Sequence, residues 1–215
     1  ITQLERLGAL KAQGLLTDER VWERIELAAR ARQAGMVRHL AAYLGAGERA
    51  DALRWAALLA NPSQELGKAT SLPDQPRTRD GVAIAYAALA RRDLARATAL
   101  WPALSGHFRF DEAQRGEMLA AVALWKAADY APDAARWLGM VPAGAGDDGL
   151  REWRVREAVA RADWKAVVEA HAAMTPAQQA DPLRAGRERA RGDADRADPG
   201  RGEAGHDEGR SVGVE

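Results

Sequence analysis

The sequence predicts an all-α protein built of antiparallel helical hairpins stacked against one another. Three observations carry this. Alanine, the strongest helix former, supplies 49 of 215 residues, while β-branched residues are sparse at three Ile, eleven Val and six Thr. Apolar residues recur at three- and four-residue spacing and nowhere alternate long enough for a strand. Helix start signals and Gly, Pro or Asp breaks follow one another closely, so connections are short and neighbouring helices antiparallel.

Along the chain, helices are expected over 2–13, 18–33, 36–44, 48–59, 62–70, 77–91, 94–104, 111–128, 132–140, 148–161, 164–173 and 176–184. Asp18 is expected to cap the second of these, whose face carries Val21, Ile25 and Ala28 with Trp22 and Ala29 beside them. Asn61-Pro62-Ser63-Gln64 and Thr175-Pro176-Ala177-Gln178 each place a cap residue, a proline at the first helical position and a Gln at the third. Asp111 followed by Gln114 has the same reciprocal capping pattern. Val155, Val159 and Ala162 form a further apolar stripe. Breaks are expected at Gly45–Gly47, Leu72–Pro76, Gly106-His107, Pro142–Gly146 and Asp181-Pro182.

Four stretches share one pattern: Glu26–Leu44, Ala85–Leu104, Ala123–Val141 and Arg156–Met174. Each is an alanine-rich helix, a short junction and a second amphipathic helix. The junctions are Gly35, Asp93, Asp129 and Asp163. A spacing in the mid-thirties between the last three is that of a two-helix repeat, although the first interval is longer. A single hairpin cannot bury its own apolar face, so neighbours must stack. Small alanines allow close approach, and tryptophans fill the wider gaps.

Composition narrows the function. The formal net charge is zero, which argues against a general nucleic-acid binder. There is no cysteine, so disulfides and thiolate metal sites are excluded. No run of 18 apolar residues exists, so no transmembrane segment is expected. The first residue is Ile1, which points to a processed or truncated product whose signal peptide, if it had one, lay upstream. Arginine outnumbers lysine 27 to 4, as GC-rich codon usage would produce.

From Ala185 the character changes. Residues 185–215 contain seven Gly, six Arg and eight acidic residues, with no aromatic, Leu, Ile or Met. Such a segment cannot bury enough surface to offset its ordering entropy, so the expected division is a helical domain over 1–184 and a disordered tail over 185–215. A shift of reading frame near Leu183 would leave the same abrupt change, and sequencing of the gene tests it.

The chemistry-bearing residues do not converge on a site. His39, His107, His171 and His206 lack partners at metal or acid–base spacing, and His39 and His171 read as surface or half-buried helix residues. Asp193, Asp195 and Asp198 have the wrong spacing for a calcium loop, with Ala204 where its last Glu would stand. Arg191-Gly192-Asp193 reads as a chance tripeptide. Trp22, Trp55, Trp101, Trp125, Trp137, Trp153 and Trp164 are expected to pack between helices rather than to stack on a ligand. Arg151, Arg154 and Arg156 read as a solvated face.

One resemblance emerges from the motifs. Trp153-Arg154-Val155-Arg156-Glu157-Ala158, Ala162-Asp163-Trp164, Met174-Thr175-Pro176 and Asp181-Pro182 form one set. Gly14-Leu15-Leu16-Thr17-Asp18, then Val21-Trp22 and the helical stretch to Leu44, form another. Together, over about residues 1–184, they resemble the superhelical U-shaped domain of soluble lytic murein transglycosylases. The resemblance implies hairpins that follow a U and close into a ring with a linker domain. It also implies a separate lysozyme-like domain that cleaves the glycosidic bond between N-acetylmuramic acid and N-acetylglucosamine. That cleavage leaves a 1,6-anhydromuramyl end. In the family a glutamate of a Glu-Ser motif serves as acid and then base, the substrate's own 6-hydroxyl being the nucleophile, unlike the usual two-carboxylate glycosidase.

No Glu here is followed by Ser, and the Gly-Leu-Met-Gln and Ala-Tyr-Asn-Ala motifs are missing; Ala85-Tyr86-Ala87-Ala88 is only a helix fragment. No catalytic, cofactor-binding or metal-binding residue is therefore expected. The expectation is a non-catalytic scaffold of a periplasmic peptidoglycan lytic transglycosylase, reaching glycan strands through a catalytic domain not in this sequence. A tetratricopeptide-like protein-interaction module is the alternative, and an all-helical enzyme with its own site is a third class.

Overall fold

The computed structural model describes residues 17–142 and 144–180, and every regular element among them is helical. The expected helix over 2–13 and the tail from residue 185, with His206, Asp193, Asp195 and Asp198, lie outside the described residues. The chain divides into two compact units, residues 1–172 and 173–215.

Among the described residues of the first unit, ten helices follow the expected order. They are α1 (Asp18–Arg30), α2 (Ala34–Leu40), α3 (Ala46–Ala60), α4 (Pro62–Lys68), α5 (Pro76–Arg92), α6 (Leu94–His107), α7 (Glu112–Ala128), α8 (Ala134–Met140), α9 (Asp148–Ala160) and α10 (Trp164–Ala172). Short 3₁₀ turns, Ala41–Tyr43 and Ala69–Ser71, extend α2 and α4. The second unit contributes α11 (Pro176–Ala180), opened by Thr175. The Thr175 hydroxyl accepts from the Gln178 N–H at 3.3 Å, and the Gln178 side chain accepts from the Thr175 N–H at 3.1 Å.

Packing alternates. Each even-numbered helix from α2 to α10 lies against the odd-numbered helix before it, and the odd-numbered helices from α3 to α9 lie against one another in succession. This two-layer arrangement explains the burial of α5, which is covered by α3, α6 and α7. Nearly every residue from Gly81 to Ala90 on it is buried, as expected of a helix apolar on all sides. The close approach requires a glycine: a Cβ on Gly81 would lie under 3.0 Å from three atoms of the Trp55 indole.

The buried residues form two cores. One, around Val21, Ile25, Val37, Ala52 and Trp55, binds α1, α2 and α3 to Ile84 of α5. The other runs from Leu58 through Tyr86, Leu104, Leu119 and Trp137 to Leu150. Tyr86 is fully buried and donates its hydroxyl to the Ala97 carbonyl at 2.9 Å, tying α5 to α6. Among the described residues no helix is long and apolar enough to cross a membrane.

The local signals differ from expectation in several places. No break falls at Gly106-His107: both residues belong to α6, which runs on to His107 and whose Phe108 N–H closes on the Leu104 carbonyl. Thr17, not Asp18, caps α1: Thr17 is extended and accepts from the Arg20 N–H at 3.4 Å, whereas Asp18 is already helical and adds its charge to the first turn. Asn61 makes no side-chain cap. It ends α3 and begins α4 at once, with φ −133° and ψ 63°, so only its backbone serves the junction. Gly35 is not a junction but lies inside α2. The Asp111 and Gln114 pair does form the full capping box, with bonds of 2.8 and 3.0 Å.

The hairpins turn by one repeated device. Arg32, Tyr130 and Ala162 follow the ends of α1, α7 and α9 with φ of 59°, 51° and 55°. At each, two N–H groups reach back to the last helical carbonyls: Arg32 to Ala29 and Gln33 to Ala28, Tyr130 to Ala127 and Ala131 to Lys126, Ala162 to Val159 and Asp163 to Ala158. This is the Schellman closure, normally made with glycine in the left-handed position. Asp129 therefore stands one residue before its turn, while Asp163 caps α10 by accepting from the Ala166 N–H at 3.1 Å. The α5–α6 corner uses only Asp93, which accepts from the Arg96 N–H at 2.9 Å.

Candidate functional site

The histidines are dispersed. His39 is exposed beside the Tyr43 ring, His107 lies 3.0 Å from the Leu72 carbonyl, and His171 is exposed on α10. Among the described residues no group of three or more His, Asp or Glu side chains could hold a metal ion. Several of the described carboxylates hold the helices together. Asp93, Asp111, Asp147 and Asp163 cap helices. Glu152, the one glutamate among the buried residues, pairs with Arg156 at 3.0 Å. Asp133 accepts from Lys126 at 2.8 Å and from the Trp137 indole at 3.1 Å, and the Lys126 hydrogen bond above all holds its carboxyl below the usual range.

Arg151, Arg154 and Arg156 depart from a simple solvated face. Arg151 pairs with Asp148 at 2.7 Å on the surface. Arg154 is half-buried and donates to the Val141 and Leu138 carbonyls, supplying donors that the end of α8 lacks. Burial pulls its guanidinium below its ordinary value, with Arg151 adding repulsion. Arg156 lies over the Trp153 ring, 4.9 Å from its centroid.

The tryptophans separate by environment. Trp22, Trp55, Trp101 and Trp137 are buried. Trp22 meets Trp55 edge-to-face at 5.2 Å and donates its indole N–H to Glu48; Trp101 bridges Tyr86 and Trp137. Trp125 and Trp153 are half-buried, and Trp164 is 68% exposed. Core packing thus describes four of the seven and not Trp164, because α10 buries none of its residues.

Two clefts are formed among the described residues of the first unit. One, of about 210 Å³, lies between α1, α5 and α7 over Ala29, Ile84 and Ala88, with Arg30, Arg32 and Arg91 around it. Its Arg30 is already engaged by both oxygens of Glu117, at 2.9 and 3.0 Å, and by Glu26 at 3.0 Å. The other, of about 230 Å³, lies where the α7–α8 corner meets α9. Its floor is Ala127, Ala131, Ala134 and Ala160, its aromatic wall is Tyr130 and Trp153, and its polar rim is Glu157 with Arg161. The two rings meet edge-to-face at 6.0 Å, and the Glu157–Arg161 pair is 2.7 Å apart. Tyr130 stays 56% exposed.

Trp153 stands out in the sequence by residue type, whereas Tyr130 does not. The signal was there in Asp129-Tyr130-Ala131-Pro132: a proline two residues on marks a helix end, and an aromatic stands where glycine or asparagine is usual.

No family model matches the sequence, and no curated protein matches it closely. A solved structure does match. It is an inactive mutant of the lytic transglycosylase Slt from Pseudomonas aeruginosa, with a TM-score of 0.68 and 25% sequence identity. The match covers 91% of this chain and 31% of that one, so the chain spans less than a third of that protein's length. With an all-helical fold matched over 91% of its length, this chain fits a lytic transglycosylase helical domain.

Proposed function

We propose that this chain is the non-catalytic helical scaffold of a periplasmic peptidoglycan lytic transglycosylase, shaping the approach of glycan strands to a lysozyme-like domain. In this reading α1–α10 form part of the curved wall of a U-shaped superhelix. The likeness to Slt over 91% of the chain carries the proposal. It is supported by the use of the described carboxylates: Asp111 and Asp147 cap helices, and Glu117 and Glu157, which border the two clefts, are each bound to an arginine, Arg30 and Arg161.

Purified sacculi incubated with the 215-residue chain test this, with soluble products read by mass spectrometry. The expected result is no release of 1,6-anhydromuropeptides. Their release in proportion to protein would overturn the scaffold role. Recovery of a stoichiometric protein partner, without any association with peptidoglycan, would favour an interaction module instead.

A further inference from the structure

We propose that the outward face of α10 is a weak docking surface for a second copy of this chain, the two α10 helices lying antiparallel about a two-fold axis. The inference rests on the last hairpin of the first unit and is independent of the scaffold reading above.

α10 is amphipathic, yet none of its nine residues is buried. It rests on α9, and Ala166, Val167 and Ala170, at three- and four-residue spacing, are half-buried on that side. The opposite face carries Trp164, Val168 and Ala172 at four-residue spacing. All three are exposed, Trp164 by 68% and Val168 by 69%. The other six tryptophans are buried or half-buried. A lone exposed apolar residue needs no explanation, but a tryptophan and a valine in one stripe, on a helix that buries nothing, leave an apolar face without a use inside the unit. Earlier hairpins are flanked on the α9 side because the odd-numbered helices from α3 to α9 lie against one another in succession.

The charges beside the stripe select the occupant. Lys165 and Glu169 lie along one flank, with side chains 87% and 68% exposed and 3.9 Å apart, at the outer limit of an ion pair. In an antiparallel pair about a two-fold axis, like flanks face each other with chain direction reversed. Lys165 of each chain then stands beside the partner's Glu169. Trp164 of each lies over the last turn of the other helix, where the partner's Ala172 leaves room. Parallel pairing would instead set like charges together. A bilayer surface would call for a broader apolar face with a basic border, and this flank is neutral. The stripe is small beside the roughly 800 Å² that each partner gives to a standard interface, so the association is weak and centred on Trp164.

Sedimentation equilibrium of the full chain, from about 10 µM to about 1 mM, tests this. The expected result is a monomer–dimer equilibrium with a Kd of about 0.1–1 mM and no larger species. Trp164→Ala and Val168→Asp should each weaken it about tenfold or more. Both should leave Tm within about 2 °C of wild type, since neither side chain is buried. Lys165→Glu should weaken the dimer by setting like charges together, and adding Glu169→Lys should restore it, because the exchanged pair is complementary again. A monomer throughout that range overturns the surface, as does a dimer that neither Trp164→Ala nor Val168→Asp weakens. Growth past the dimer overturns the two-fold arrangement, because a head-to-tail contact does not close on itself at two copies. A charge-exchanged double variant no better than Lys165→Glu overturns the antiparallel pairing. None of these outcomes depends on product release from sacculi, so the scaffold reading stands or falls separately.

Discussion

Tyr86 shows how much one polar atom can matter inside an apolar stack. Its ring fills the core between α5 and α6, and its hydroxyl finds the Ala97 carbonyl at 2.9 Å. Tyr86→Phe keeps the packing and removes that bond, which should cost about 1 kcal/mol and be visible as a lower midpoint in urea unfolding. The residue also links stability to alkaline pH. Burial pushes the Tyr86 hydroxyl above its ordinary value of about 10, because the phenolate would lose its water. The folded state therefore holds its proton where the unfolded chain releases it. Its contribution is fully present below about pH 10 and is lost as pH rises beyond that. Melting curves of wild type and Tyr86→Phe should converge as pH is raised from 9 to 11 (about the range in which free tyrosine ionises). Curves that stayed parallel would show that Tyr86 does not control this limb.

At the scale of the element, hairpin closure and helix capping were unequally legible. The Asp111–Gln114 box could be read from residue types, because both bonds are local and only the backbone need comply. The left-handed conformation at Arg32, Tyr130 and Ala162 could not, because none of the three is glycine; only at Tyr130 does a following proline mark the helix end. What holds them is the pair of backbone bonds on either side and the packing of the helices they join. This leaves room for improvement by substitution. At Ala162 the left-handed penalty is about 1–2 kcal/mol, and glycine's additional chain entropy offsets about 0.5–1 kcal/mol of that relief. Ala162→Gly should thus raise Tm by about 1–3 °C in differential scanning calorimetry. A lowered Tm would mean that the alanine methyl packs usefully and that the corner is not strained.

At the scale of the whole molecule, the two cores suggest unequal local stability within the first unit. Trp55 stands at the centre of the smaller one. It meets Trp22 at 5.2 Å, donates to the Arg77 carbonyl at 2.8 Å and presses on Gly81. Trp55→Ala should cost about 3–5 kcal/mol, the usual range for losing a buried aromatic. In a stack where each hairpin rests mainly on its neighbours, that loss should be felt first nearby. Hydrogen exchange should then show α1, α2 and α3 losing protection while α7, α8 and α9 keep theirs. Uniform loss would mean that the unit unfolds in one step.

Among the described residues the helices and their order, with limits displaced by no more than a turn, followed from alanine content, three-to-four spacing and cap residues, because helix hydrogen bonds are local and their signals lie within a turn of each end. The family likeness was legible as well: of its motifs, Ala162-Asp163-Trp164 and Met174-Thr175-Pro176 mark helix junctions, while Trp153–Ala158 and Val21-Trp22 lie within α9 and α1. Other features came only from folding. Arg154 looks like any surface arginine until α9 lies across the end of α8 and offers it carbonyls at 3.0 and 3.4 Å. Tyr130 and Trp153 are separated by the whole of α8 and meet because α7 and α9 pack side by side. A cleft is a relation between elements, and one-dimensional spacing records it only where the partners share a helix. That is why the order of helices could be read from the chain, while its clefts had to wait for the packing of those helices.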